Sequence, residues 1–436
     1  MATLPTVDNT GALLLTREES TQLSIAAGNA FQPRSPISTR EFFAGRWEQL
    51  TTVVDAVAQK GLHIVMFGER GVGKTSLANI VDPLLYVMEE TMTGRQPEPR
   101  ITVKVNLHQG DAFGNAWSRV FDEITWSEDR PGIGLSTRPH EVQVTLKEAF
   151  KIGNFPTIDV VRRTLRTLPR SVIIFDEFDR GSAALKRDFT DLIKALSDYA
   201  VDSTIILVGV SETVDQLIRD HASIVRAIVQ VQLPRMNERE LQEILDKAST
   251  ALKVQFSPNA AALIVRMSQG LPHYTHLIGL HATREAALRL SRLIQVQDVH
   301  RSFDKAVKQA VQSIQEKYLL AIHSAHREAL YDNVLLACAM ASSSAKDALG
   351  YFHPADIVQP ISAILDRENV TIATFQKHIN EFCEAERGRV LERHGSPRAY
   401  KYRFHDPLLP PYIFMTALAN GDVNVDQLRE LTASAD

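Results

Sequence analysis

The clearest chemistry in this chain lies in the run Gly68-Glu69-Arg70-Gly71-Val72-Gly73-Lys74-Thr75, followed by Ser76. It fits the phosphate-binding pattern G-x-x-x-x-G-K-[ST] at every fixed position. Glycines let a backbone wrap closely around a polyphosphate, so that successive N–H groups and a helix N-terminus point at the anion. Lys74 would then reach the β- and γ-phosphates, and Thr75 would place its hydroxyl on Mg²⁺. A second constellation closes the apolar run 172–175 with Asp176 and Glu177. Hydrolysis of a phosphoanhydride needs one carboxylate to hold the metal and another to orient or deprotonate water. Those roles fall to Asp176 and Glu177 respectively, with ATP and Mg²⁺ as the implied cofactors.

Residues of this kind work only if the chain brings them to one edge. Residues 63–67 (HIVMF) read as a short buried strand leading into the loop, and residues 76–80 as the first turns of a helix leading out. Further short runs rich in β-branched residues occur at 101–105, 172–175, 204–208 and 229–233. Alternation with helical sequence predicts an α/β fold, a mostly parallel sheet covered on both faces, with both carboxylates at its carboxyl edge beside the loop. Residues 126–140 carry Pro131 and glycines, and read as a surface insertion. Beyond Pro234 the pattern becomes helical. Asn237 with Glu240 resembles a reciprocal N-cap, Ser257-Pro258 opens a second helix, and others begin near Pro272 and Gln297. The expected organisation is an N-terminal arm over 1–37, a nucleotide-binding core over 38–235, a helical lid over 236–323 and a C-terminal domain over 324–436.

Composition narrows the classes without choosing among them. Apolar residues at 44% and charged residues at 23% over 436 residues suit several soluble domains with real cores. A net charge of −4 excludes a chain that is basic throughout, so any nucleic-acid contact must be local. Only Cys338 and Cys383 occur, which argues against a disulfide scaffold or a zinc site. Neither a basic leader nor a long apolar run opens the sequence, and cytoplasmic location without membrane contact is the expectation.

Near the C-terminus, residues 360–365 and 371–384 read as two short helices, the second burying Ile372, Phe375, Ile379 and Phe382. Alternating segments then flank His394-Gly395-Ser396-Pro397, which suits a hairpin tip. This is the outline of a winged helix. Arg387, Arg389, Arg393, Arg398, Lys401 and Arg403 face a single acid, Glu392, in that stretch. Arg389, Arg393, Arg398, Lys401 and Arg403 are the candidate contacts to duplex DNA phosphates.

Together the two motifs resemble AAA+ ATPases, in particular the bacterial relatives of the origin-recognition/Cdc6 and TniB-like group. The resemblance covers about residues 40–310. It implies an α/β P-loop NTPase sandwich (AAA+), a helical lid and a winged-helix domain. Phe43-Ala44-Gly45-Arg46 looks like the group's segment beside the adenine, which puts Arg46 there. Ser211 or Glu212 would be the sensor at the end of the fourth core strand, where the family usually has Asn or Thr. Arg226, with Arg219 as the alternative, would be the arginine finger, and His273 stands where the family's second sensor is usually Arg. An imidazole is only partly charged near neutral pH and would clamp a γ-phosphate weakly. His273, His276 and His281 also share a helix, but no cysteine or carboxylate completes a metal site. The function implied is slow ATP hydrolysis by a homo-oligomer that assembles on duplex DNA with nucleotide at subunit interfaces. The alternative is a STAND-type signalling scaffold whose winged helix binds protein, including a protein effector.

Overall fold

The computed structural model describes residues 14–37, 39, 41–94, 96, 99–130, 140–211, 214–218, 224–324, 329–343, 350–396, 399–424 and 427. The chain forms two compact units. Pro36–Glu69 and Gly73–Pro234 make one, while Arg70–Val72 groups with the N-terminal helix and the chain from Arg235 onward.

The first of these is the α/β unit. Its strands are β1 (His63–Gly68), β2 (Ile101–Asn106), β3 (Thr125–Arg130), β4 (His140–Thr145), β5 (Ser171–Asp176), β6 (Ser203–Val210) and β7 (Ile228–Gln232). Five of them make one sheet in the order β2-β5-β6-β1-β7. All its pairings are parallel, with Ile64 opposite Ile206, Ile173 opposite Ile205 and Asn106 opposite Asp176. β1 and β5 are buried along their whole length, as continuous apolar strands between two helical layers must be. The helix after β1 spans Lys74–Thr93. On the other face lies an aromatic core in which Phe175 meets Phe189 at 4.7 Å and Trp117 at 5.2 Å between ring centroids. Chain order reverses at β1, which has β6 on one side and β7 on the other. A parallel sheet opens its ligand crevice at such a point, outside the carboxyl ends of the strands. The architecture is a parallel α/β sandwich with the phosphate loop at the carboxyl end of β1.

The segment expected as a surface insertion is bounded by a strand pair that stands apart from the five-stranded sheet. β3 and β4 pair antiparallel from Thr125 opposite Thr145 to Arg130 opposite His140. Trp126 and Val144 are paired across it; Trp126 packs against the hydrophobic core and Val144 is buried.

The other unit is mainly helical. Thr16 and Glu19 cap the N-terminal helix Arg17–Ala30 reciprocally, and Leu23 and Ala27 bury its inner stripe. Asn237 and Glu240 cap Glu238–Leu252 in the same way, and Ser257 with Pro258 starts Pro258–Ser268. Helices Pro272–Leu288 and Val296–Gln309 follow. Toward the C-terminus, helices Pro354–Leu365 and Ile372–Glu381 precede antiparallel strands Leu391–His394 and Lys401–Phe404. The first of these helices begins earlier than the sequence suggested, because Pro354 takes the first helical position and Pro360 sits inside it. Among the described residues no helix is long and apolar enough to cross a membrane.

Candidate nucleotide-binding site

β1 delivers the loop with its backbone already constrained. Gly68 has φ +155°, and a Cβ there would lie 2.4 Å from the Leu233 carbonyl oxygen at the end of β7. Only glycine allows that approach. Gly73, at φ +97°, turns the chain into the helix, whose first N–H groups receive no side-chain cap. Such a terminus is ready for an anion. Lys74 is buried, and its ammonium donates to the loop's own carbonyls, Gly68 at 3.0 Å and Glu69 at 2.7 Å. A polyphosphate would draw it off those carbonyls as the stronger, charged acceptor. Thr75 and Ser76 are half-buried, and the Ser76 hydroxyl accepts the Ile37 N–H at 3.1 Å. Ser211, just past β6, donates its N–H to the Gly68 carbonyl at 3.4 Å, so the expected sensor lies against the loop's first residue.

Arg70 and Gly71, within the loop, have partners far along the chain. Arg70 pairs with Asp406 at 3.2 Å, and Lys317 pairs with the same carboxylate oxygen at 3.2 Å. Asp406 is buried, and its other oxygen accepts the Leu408 N–H at 3.2 Å. A Cβ on Gly71 would lie 2.8 Å from the Leu408 side chain. The Tyr274 hydroxyl donates to the Leu408 carbonyl, and burial, helped by Asp406, raises its pKa.

The acidic end is as tightly built. Asp176 is buried; its Oδ1 accepts the Glu177 N–H at 2.9 Å and its Oδ2 meets the Lys104 ammonium at 3.0 Å. Lys104 also donates to Asn79 Oδ1 at 2.7 Å, on the helix that follows the loop. Glu177 takes a left-handed backbone, φ +57°, which costs a non-glycine residue about 1 kcal/mol or more. Its carboxylate is half-exposed and pairs with Arg180 at 2.9 Å. Asp179 accepts the Val210 N–H at 2.8 Å and so fixes this turn to the end of β6. The hard oxygens of Asp176 and Thr75 suit Mg²⁺, and the Asp176 carboxylate already attracts a cation. Lys104, Asp179 and Arg180 were not anticipated. The alternation of Thr102, Lys104 and Asn106 in β2 was the available signal, since it marks a polar face on an otherwise apolar strand.

The other expected residues have positions and partners of their own. Arg46 is buried in a left-handed conformation, φ +64°, and donates to the Pro234 carbonyl at 2.7 Å, which is a structural tie. Arg226 is exposed on the turn before β7. That turn is at the amino edge of the sheet, roughly 20 Å along the strands from the loop by the ordinary rise per residue. Glu212, Arg219 and Ser223 lie outside the described residues. His273 holds the Pro33 carbonyl through Nδ1 at 2.8 Å. Burial first, and Arg70 beside it, push its pKa below the ordinary histidine value. The partial positive charge expected of it is therefore disfavoured at neutral pH. Burial likewise lowers His276 and His281 to about 4 each. No metal-holding cluster occurs among the described residues.

The C-terminal cations are largely spoken for. Arg403 pairs with Glu392, and Arg387 donates to the Ala321 carbonyl at 3.1 Å and to that of His323 while lying 3.6 Å over the Tyr331 ring. Arg393 lies 4.5 Å over Tyr400 and Lys401 4.2 Å over Tyr351. Arg389 and Arg393 are exposed, whereas Arg398 falls outside the described residues.

Comparison with known proteins follows from this geometry. The chain is similar to the Aeropyrum pernix ORC2 protein, at 11% identity and a TM-score of 0.46, covering 92% of this chain and 100% of that one. The Aeropyrum pernix ORC1 protein, solved in complex with DNA, matches at 15% identity and 0.44, covering 86% and 92%. The Thermotoga maritima RuvB Holliday junction branch migration motor matches at 16% and 0.40, covering 83% and 93%. No curated protein matches the sequence. The model of the family described as Novel STAND NTPase 1 matches residues 30–347. That span is well over half of the chain and contains both the phosphate loop and the Asp176–Glu177 edge, and the chain belongs to the Novel STAND NTPase 1 family.

Proposed function

We propose that this chain is an ATP-hydrolysing switch, in which occupancy of the phosphate loop is sensed by residues near the C-terminus. Lys74 would leave the Gly68 and Glu69 carbonyls for the β- and γ-phosphates. Thr75 and Asp176 would hold Mg²⁺, which supplies charge neutralisation on the phosphates when bound. Glu177, aimed by its left-handed backbone, would orient water once it parts from Arg180. The observation that carries the switch is the shared carboxylate of Asp406, which holds Arg70 of the loop and Lys317 together. A polyphosphate entering the loop would compete with Asp406 for Arg70. This reading is tested by Asp406→Asn. Release of a fluorescent ADP analogue should become several-fold slower in the variant, because Arg70 no longer has a competing carboxylate, and an unchanged release rate would refute a sensing role for this carboxylate.

A second reading is ATP-dependent assembly on duplex DNA. Exposed Arg389 and Arg393 favour it, and so does Arg226, exposed on the turn before β7, where it would meet a neighbouring subunit's nucleotide in an assembly. Proteins rather than DNA would be the partners if the hairpin proves inert toward phosphate. Sedimentation with ATP and duplex DNA, for wild type and Arg226→Ala, tests the assembly. A monomer at every concentration would exclude it.

A further inference from the structure

We propose that Lys104 is the resident counter-cation of Asp176, and that it makes nucleotide binding largely independent of Mg²⁺. The inference rests on the nucleotide reading of the loop and extends it to how the metal enters. The pleat of β2 fixes the placement. Val103 and Val105 are buried in the core, while Thr102 and Lys104 turn to the opposite face and bond Asp82 and Asn79 of the helix Lys74–Thr93. Lys104 stands one strand over from Asp176, since β2 pairs directly with β5. Its ammonium bridges the helix that leaves the phosphate loop (Asn79, 2.7 Å) and the carboxylate at the end of β5 (Asp176, 3.0 Å).

The physical consequence follows from charge. A buried carboxylate beside a polyphosphate repels it unless a cation stands between them. In most metal-dependent arrangements that cation arrives with the substrate. Here the chain supplies one itself, and the Asp176–Lys104 pair is neutral before any ligand enters. Two effects should result. Nucleotide should bind without metal, and the metal should gain little affinity for the protein until the phosphates supply further oxygens.

The test is titration of a fluorescent ADP analogue in excess EDTA and in excess Mg²⁺, with Mn²⁺ binding to the nucleotide-free protein followed by electron paramagnetic resonance. Wild type should bind the analogue with similar affinity in both media and take up no Mn²⁺. Lys104→Met should lose about tenfold or more of its affinity in EDTA, recover most of it with Mg²⁺, and bind Mn²⁺ without nucleotide. Lys104→Arg, which keeps the charge, should behave as wild type, and Lys104→Met with Asp176→Asn should regain the affinity in EDTA. If Lys104→Met does not fold, Asp176→Asn alone decides: freeing the ammonium should tighten binding in EDTA and abolish any gain from Mg²⁺. An EDTA-to-Mg²⁺ ratio that is the same in Lys104→Met and wild type overturns the inference alone, as does unchanged EDTA affinity in Asp176→Asn. If wild type binds nucleotide in neither medium, the reading of the loop fails and the inference falls with it.

Discussion

The phosphate loop and the C-terminal hairpin were both conspicuous in the sequence, one for its glycines and lysine, the other for its density of cations. Folding treats them differently. In the loop the signal is a backbone requirement: Gly68 must be glycine because the Leu233 carbonyl sits where a side chain would be. In the hairpin the signal is a charge count, and intramolecular partners absorb much of it. Arg387 serves two carbonyls and an aromatic ring, and Arg403 is matched by Glu392. A pattern that constrains φ and close approach therefore carries further than a tally of like charges.

The comparison breaks first if the loop is inert. Lys74→Ala should lower ATP affinity about 100-fold or more, since the lysine is the side chain read as reaching the β- and γ-phosphates. Isothermal titration measures it, and equal affinity for variant and wild type would put the loop on the same footing as the hairpin. Glu177→Gln should keep that affinity and lose roughly 100-fold in turnover, the usual scale for one general base.

The hairpin offers smaller effects. Arg387→Ala should lower stability by about 1–3 kcal/mol, because two carbonyls lose a charged donor. Chemical denaturation would show it, and an unaltered midpoint would mean that Arg387 is a free surface cation. Neutralising Arg389 and Arg393 together should reduce the slope of log DNA affinity against log salt by at most about 1.8, at roughly 0.9 per phosphate contact. No slope change, or no duplex binding by wild type, would leave the switch reading without its rival.

Acid stability sharpens the contrast between buried and exposed basic groups. His63 is lowered to about 3, and His276 and His281 to about 4, in each case mainly by burial. The unfolded chain binds protons at these sites below the ordinary histidine value of about 6.5, while the folded chain does not. Stability is thus fully present above that pH and is lost as pH falls toward about 4. Each group contributes at most roughly 1.4 kcal/mol per pH unit in that window. Replacing His276 with Gln should flatten the fall in denaturation midpoint between those limits, and an unchanged profile would show that its burial is relieved in solution.

Much of the α/β unit was legible because its strands are local and continuous. The run expected at 63–67 became His63–Gly68, and that at 204–208 became Ser203–Val210. Asp176 and Glu177 were legible for the same reason, as the end of an apolar run. Lys104 was not. Its role depends on β2 lying beside β5, a pairing across about seventy residues that no local pattern encodes. The Arg70–Asp406 pair is more remote still. Pro131 and the glycines of residues 126–140 mark a surface segment but say nothing of the pairing of β3 with β4 on either side of it, which Val142 and Val144 begin as an alternation. The lowered pKa of His273 was not legible, since it comes first from burial, a property of the folded chain that the local sequence around His273 does not encode.

On the function proposed above, the loop, Asp176 and Glu177 act as one hydrolytic site. A single-turnover assay with ATP and Mg²⁺ tests it most directly, comparing wild type, Lys74→Ala and Glu177→Gln. Wild type should convert bound ATP to ADP, Glu177→Gln should hold ATP unconverted, and Lys74→Ala should bind none. ATP turned over at the same rate by wild type and Glu177→Gln would contradict it.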